Sequence, residues 1–205
     1  MRRESSLRSP LILPGLKALA VVTMVCALTA CGPSKPQFES VDITGANYAH
    51  DFHLIDAGGK PRSLADYRGK EVVLFFGYTQ CPDVCPTTMA ELKTVMQILG
   101  PDADRVQVLF VTLDPERDKP ALLAHYVPAF DPRFVGLFAD EATTAQTAKE
   151  FKVFYQRVPG PTPTSYTFDH TAGTYVFDTN GRIRLFLRQG QSASSIAHDL
   201  KQLLS

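Results

Sequence analysis

Two cysteines stand close together in Cys81-Pro82-Asp83-Val84-Cys85-Pro86. Three intervening residues keep the sulfurs near enough to bridge each other or to clasp one metal ion. A structural disulfide is the plainest use, but so short a link removes little entropy from the unfolded chain. A redox-active dithiol is the second, although oxidoreductases ordinarily use Cys-x-x-Cys and an extra residue intervenes here. A metal site is the third: two thiolates are soft donors that select Cu(I) or zinc, and they need at least one further ligand. Pro86 is read as opening a helix, where its missing N–H costs nothing. The pair then lies at a helix N-terminus, whose unpaired N–H groups and dipole favour thiolate, the form that binds metal and attacks disulfides.

The flanking segments say what must hold the pair. Residues 71–77 are a continuous apolar run, as expected of a strand buried on both faces of a central sheet. Residues 106–112 read as a second such strand, 134–137 as a short third and 51–56 as a first strand. Met89, Leu92, Val95, Met96 and Leu99 recur at helical spacing until Gly100-Pro101 stops the helix. Further helices are expected over 121–126, 141–151 and 194–204, a helical turn over 63–67, and a charged turn over 114–118. Residues 159–163 read as a loop, and 173–177 with 182–187 as a hairpin around Thr179-Asn180-Gly181. The order implies an α/β sandwich whose mixed central sheet is flanked by helices. A cysteine motif where a buried strand meets a helix points to a thioredoxin-like fold.

That frame selects a third ligand. His53 lies in the first strand and His50 precedes it, and His125 and His198 lie on helices; all four read as packing or surface residues. His170 differs, because Phe168-Asp169-His170-Thr171 falls in the loop before a hairpin strand, which a thioredoxin-like fold packs beside the cysteine motif. Oxidoreductases usually place a cis-proline there, and this chain has no proline after Pro163. Asp114 follows the second buried strand, at the sheet end where sites gather, and could orient a ligand or contact a partner. Asp83 reads as shaping its loop.

Here a resemblance becomes specific. The segments Phe75-Phe-Gly-Tyr-Thr-Gln-Cys81-Pro-Asp-Val-Cys85-Pro86, then Val111-Thr-Leu-Asp-Pro-Glu-Arg-Asp118, then Asp169-His170, resemble the Sco (SenC/PrrC-like) family of copper chaperones over roughly residues 45–205. The resemblance implies that Cys81, Cys85 and His170 bind copper, as Cu(I), Cu(II) or both. It also implies a role in assembling the CuA centre of cytochrome c oxidase, by copper delivery, by thiol reduction of that site, or both. The implied partners are the copper-binding subunit of the oxidase and another periplasmic copper chaperone. Two soft thiolates with an imidazole suit three-coordinate Cu(I), and a structural zinc site would need a fourth protein ligand that is not evident. Catalytic turnover is not expected. The alternative is an extracytoplasmic thiol–disulfide oxidoreductase in which Cys81 and Cys85 cycle and copper is incidental. A thiol peroxidase fits poorly: Tyr78 stands where peroxiredoxins carry a threonine, and Thr79 comes one residue too late.

The N-terminus carries the remaining signal. Arg2, Arg3, Arg8 and Lys17 precede a short apolar run that ends Leu28-Thr29-Ala30-Cys31, the layout of a secretory signal closing on a sequence that resembles a bacterial lipobox. Expected are a signal peptide over 1–30, a lipidated Cys31 at the head of a polar linker over 31–45, and one domain over 46–205. Acyl chains on Cys31 would anchor the domain to a membrane, facing the periplasm of a bacterial cell envelope. A chain of 205 residues allows one domain plus such a tail. Lys and Arg number 21 and Asp and Glu 21, so no basic excess exists to hold nucleic acid.

Overall fold

A computed structural model describes residues 36–162 and 165–205. The signal segment, Cys26 and the expected lipidation site Cys31 lie outside the described residues. The strands are β1 (Val41–Asp42), β2 (Leu54–Asp56), β3 (Pro61–Arg62), β4 (Glu71–Gly77), β5 (Val106–Thr112), β6 (Val135–Phe138), β7 (Tyr155–Pro159), β8 (Tyr166–His170), β9 (Thr174–Phe177) and β10 (Ile183–Leu187). The α-helices are α1 (Val84–Leu99), α2 (Pro120–Tyr126), α3 (Glu141–Glu150) and α4 (Ala193–Leu204). None of the described helices is long and apolar enough to cross a membrane.

Eight strands form one sheet in the order β1-β10-β9-β4-β5-β6-β2-β3. Its centre, β4-β5-β6, is parallel, and β9, β10 and β2 run antiparallel to their neighbours. The sheet is mixed and helix-flanked, the thioredoxin-like arrangement expected from the cysteine motif. Every residue of β4 is buried, as a strand covered on both faces requires. Side chains alternate across it. Val73 and Phe75 join Val106, Val108 and Phe110 of β5 beneath α1, α2 and α4. Val72, Leu74 and Phe76 face the other way, toward Phe52, Leu64, Tyr67, Ala148 and Phe151. Phe75, Phe76 and Phe110 are fully buried, and each such burial contributes about 1.5–3 kcal/mol relative to exposure.

The helix behind the cysteines begins at Val84, two residues before Pro86, so Cys85 lies inside its first turn. Proline is still tolerated there, because the first four helical N–H groups have no intrahelical acceptor. Gly100 closes α1 at φ 58°, a left-handed conformation that glycine adopts without a Cβ penalty.

Two expectations need correction. The linker expected over 31–45 is docked from Pro36 onward: Val41 pairs with Phe186, and the Glu39 and Ser40 amides donate to the carboxylate of Asp199. Asp199 is fully buried, and these donors outweigh the cost of burial and hold its carboxyl below the usual range. A polar sequence was thus captured by a buried acceptor. The second concerns residues 155–170, where strands β7 and β8 pair as a hairpin of their own, outside the main sheet. His170 is the last residue of β8, where a loop was expected.

Candidate metal centre

The site is built at the carboxyl ends of the parallel strands. The chain leaves β4 at Gly77, where a Cβ would stand 2.9 Å from Cys85 Sγ, 2.9 Å from Phe75 and 3.0 Å from Phe110. Only a residue without a side chain lets the Cys85 sulfur settle against the strand. Cys85 is fully buried, while Cys81, on the connecting loop, is half-buried; both are free thiols. The Cys85 amide donates to Cys81 Sγ at 3.4 Å, so the first turn of α1 presents backbone N–H to the outer sulfur. The dipole argument for an easily formed thiolate fails at Cys85, whose thiol is pushed up by burial and by the neighbouring Cys81 sulfur. A bound cation reverses that balance, since a coordinating thiol is deprotonated outright.

Asp118 holds the loop that carries Cys81. Its carboxylate accepts from Thr79 N at 2.9 Å, Thr79 Oγ1 at 2.5 Å and Thr112 Oγ1 at 2.6 Å. Burial raises its pKa against the opposing effect of these donors.

His170 closes the group from the hairpin. Its Nδ1 lies 3.0 Å from the Thr171 carbonyl, which can only accept, so Nδ1 carries the proton. Nε2 is left with its lone pair and stands 3.6 Å from Cys85 Sγ. Burial lowers the imidazole pKa, which favours the neutral, ligating form. The rings of Phe75 and Tyr78 meet the imidazole edge-on with centroids at 6.4 and 6.0 Å, walling the site with apolar surface.

Cys81 Sγ, Cys85 Sγ and a His170 ring nitrogen all lie within 4.8 Å of one another. With metal–sulfur and metal–imidazole bonds of about 2.3 and 2.0 Å, ligands at trigonal angles stand about 3.7 Å apart, so the donor set fits one soft ion. Among the described residues this is the single group of three such donors. His50, His53, His125 and His198 stay outside it. His198, on α4, instead lies beside Asp199 of the same helix and Glu39 of the segment before β1.

Asp114 is brought near the site without touching the donors. Its buried carboxylate accepts from Arg117 Nε and from the Tyr166 hydroxyl, the latter at 2.9 Å, and so ties the turn after β5 to the hairpin. Asp83 takes the N-cap position of α1, but its side chain makes no cap hydrogen bond; its carbonyl accepts from Thr87 N and Oγ1. Three contributors were not singled out from the sequence. Tyr78 accepts from the Phe168 amide at 3.2 Å, and Arg117 and Tyr166 stack on each other. The Arg117 signal was present in the charged turn, but its partner is 49 residues away.

The copper-bound structure of ScoI from Bradyrhizobium japonicum superimposes with a TM-score of 0.69 at 39% identity, covering 75% of this chain and 97% of that one. The apo Sco1 solution structure from Thermus thermophilus gives 0.71 at 38% identity, over 82% and 97%. A SCO2-like protein of Rickettsia felis is 32% identical over 204 residues, covering 98% of this chain and 99% of the relative. The mitochondrial SCO2 homolog of Mus musculus is 36% identical over 154 residues, and there the match spans only 60% of the relative's length. The SCO1/SenC family model matches residues 41–205. This chain belongs to the SCO1/SenC family.

Proposed function

We propose that the chain is a copper chaperone that holds one copper ion on Cys81, Cys85 and His170 and serves the assembly of cytochrome c oxidase. The observation that carries this reading is the convergence of two sulfurs and a lone-pair imidazole nitrogen within 4.8 Å. Membership of the SCO1/SenC family and a copper-bound neighbour at 39% identity support it. Three protein donors leave room for an incoming ligand, as transfer to the CuA-bearing subunit requires.

The redox step we assign is exchange of the pair. Two thiols of Cys81 and Cys85 become one disulfide as a target disulfide becomes two thiols; two electrons and two protons pass to the target. Oxidation removes both thiolates and with them the metal site, so redox state gates loading. A lipidated Cys31 would hold the domain at a membrane facing the periplasm, within reach of its target.

Copper(I) competition titration of the reduced chain tests the reading. One tight equivalent is expected in wild type, weakened by orders of magnitude in Cys81→Ser and His170→Ala and absent from the oxidised protein. A second reading is favoured by the half-buried Cys81 beside the fully buried Cys85, an outer thiol with an inner partner, as in a dithiol oxidoreductase. It requires His170→Ala to keep full thiol–disulfide exchange activity with copper binding weak in both proteins.

A further inference from the structure

Hairpin β7–β8 is bonded strand to strand only with itself, and an isolated two-stranded hairpin is at best marginally stable in water. Yet it must present His170 to two sulfurs held by the core. Phe168 and His170 lean on Tyr78 and Phe75 of the core side, and the polar contacts of Tyr166 and Arg157 converge on the turn after β5. The Tyr166 ring has the Arg117 guanidinium carbon 3.5 Å from its centroid and that of Arg157 at 3.6 Å. Two carbons so close to one centroid cannot share a face, so the ring is sandwiched. Each arginine is tied to the same turn: Arg117 bonds Asp114, and Arg157 bonds Glu116. The Tyr166 hydroxyl also donates to Asp114. Arg117 Nη1 donates to the Tyr166 carbonyl at 2.9 Å and to Gln80 Oε1 at 3.2 Å, the residue before Cys81.

We infer that the Asp114–Arg117 turn is a latch that sets His170 against the cysteines, with Arg117 and Tyr166 as positioning residues for the third ligand. One side chain, Arg117, spans the cysteine loop, the turn and the hairpin. Stacking and a forked guanidinium are both needed for that span, and lysine supplies neither. The inference rests on the assignment of His170 as a copper ligand.

The test uses Tyr166→Ala and Arg117→Lys, each with and without His170→Ala, and Tyr166→Phe as the conservative variant. Arg117→Lys keeps a cation beside Asp114, so the fold is not left with an unpaired buried carboxylate. In copper(I) competition, Tyr166→Ala and Arg117→Lys should each weaken binding roughly 10–100-fold with His170 present and add nothing in the His170→Ala background. Tyr166→Phe, which keeps the stack, should retain most of the affinity. In the metal-free protein, hydrogen exchange at the Phe168 and Thr171 amides should quicken in both latch variants, with β4 and β5 amides unchanged. Equal losses in both backgrounds, or unchanged exchange in the hairpin, would overturn the latch. If His170→Ala binds copper like wild type, the copper assignment falls, and the exchange result alone decides whether the turn latches the hairpin.

Discussion

The two cysteines and the histidine reach the same point from opposite kinds of structure. Cys85 is anchored by the core: it is fully buried, packed on Gly77, and part of a helix whose apolar face covers β4 and β5. His170 arrives on a two-stranded hairpin whose residues are all half-buried or exposed. One half of the site is held by full hydrophobic burial, the other by partly buried packing of Phe168 and Tyr155, stacking, ion pairs and a few hydrogen bonds. Burial is expensive to undo, while exposed stacks and ion pairs such as Arg157–Glu116 are worth about 0.5–2 kcal/mol each. A centre built this way holds its thiols more firmly than its imidazole, an asymmetry in keeping with the metal transfer proposed above.

The contrast can be broken from the core side first. Phe110→Ala removes a fully buried ring between β4 and α2 and should cost about 3–5 kcal/mol in urea denaturation. Gly77→Ala forces a methyl group against Cys85 Sγ, Phe75 and Phe110. It should cost about 1–3 kcal/mol and weaken copper binding even though no ligand is changed.

Glu71, at the other end of β4, tests the core side through pH. Its carboxyl is fully buried with both oxygens unpartnered, and burial, aided by Asp178, pushes its pKa up to about 8 against the pull of Arg105 and Arg184. Below the ordinary value of 4.5 both folded and unfolded states hold the proton, and no penalty exists. Between 4.5 and about 8 the unfolded chain releases it while the folded chain keeps it, so this group lowers stability progressively as pH rises. Glu71→Gln should match wild type near the bottom of that window and exceed it by roughly 4 kcal/mol at the top. Thermal unfolding at several pH values reads this directly, and a constant difference would refute it.

On the hairpin side the expected change in stability is smallest. Phe168 packs edge-on against Tyr78 and Tyr166 and is half-buried. Phe168→Ala should lower global stability by about 1 kcal/mol or less, because the hairpin contributes little to the cooperative core. It should still weaken copper binding measurably. The opposite pattern, a large loss of stability with affinity intact, would erase the distinction between the two halves.

The sequence made the core half of this arrangement readable. A continuous apolar run identified β4, helical spacing of Met89, Leu92 and Val95 identified α1, and the two cysteines lie at their junction, Cys81 on the loop and Cys85 in the first turn of α1. The hairpin half was hidden for physical reasons. Tyr155–Pro159 and Tyr166–His170 have no buried residue and pair only with each other, outside the main sheet, so no continuous apolar run marks them. Their flanking prolines argue for a loop. His170 was found by residue type and position, whereas Arg117 and Tyr166 act only through a contact between distant segments. Strand β1 is two residues long and held by Asp199, too short for any periodicity to register.

The central claim, that both halves meet on one ion, is tested most directly by X-ray absorption at the copper edge on the Cu(I)-loaded, reduced chain. Two sulfur ligands and one imidazole nitrogen are expected in wild type, with the imidazole signal lost in His170→Ala. Coordination by sulfur alone in wild type, or an imidazole signal that survives His170→Ala, would contradict it.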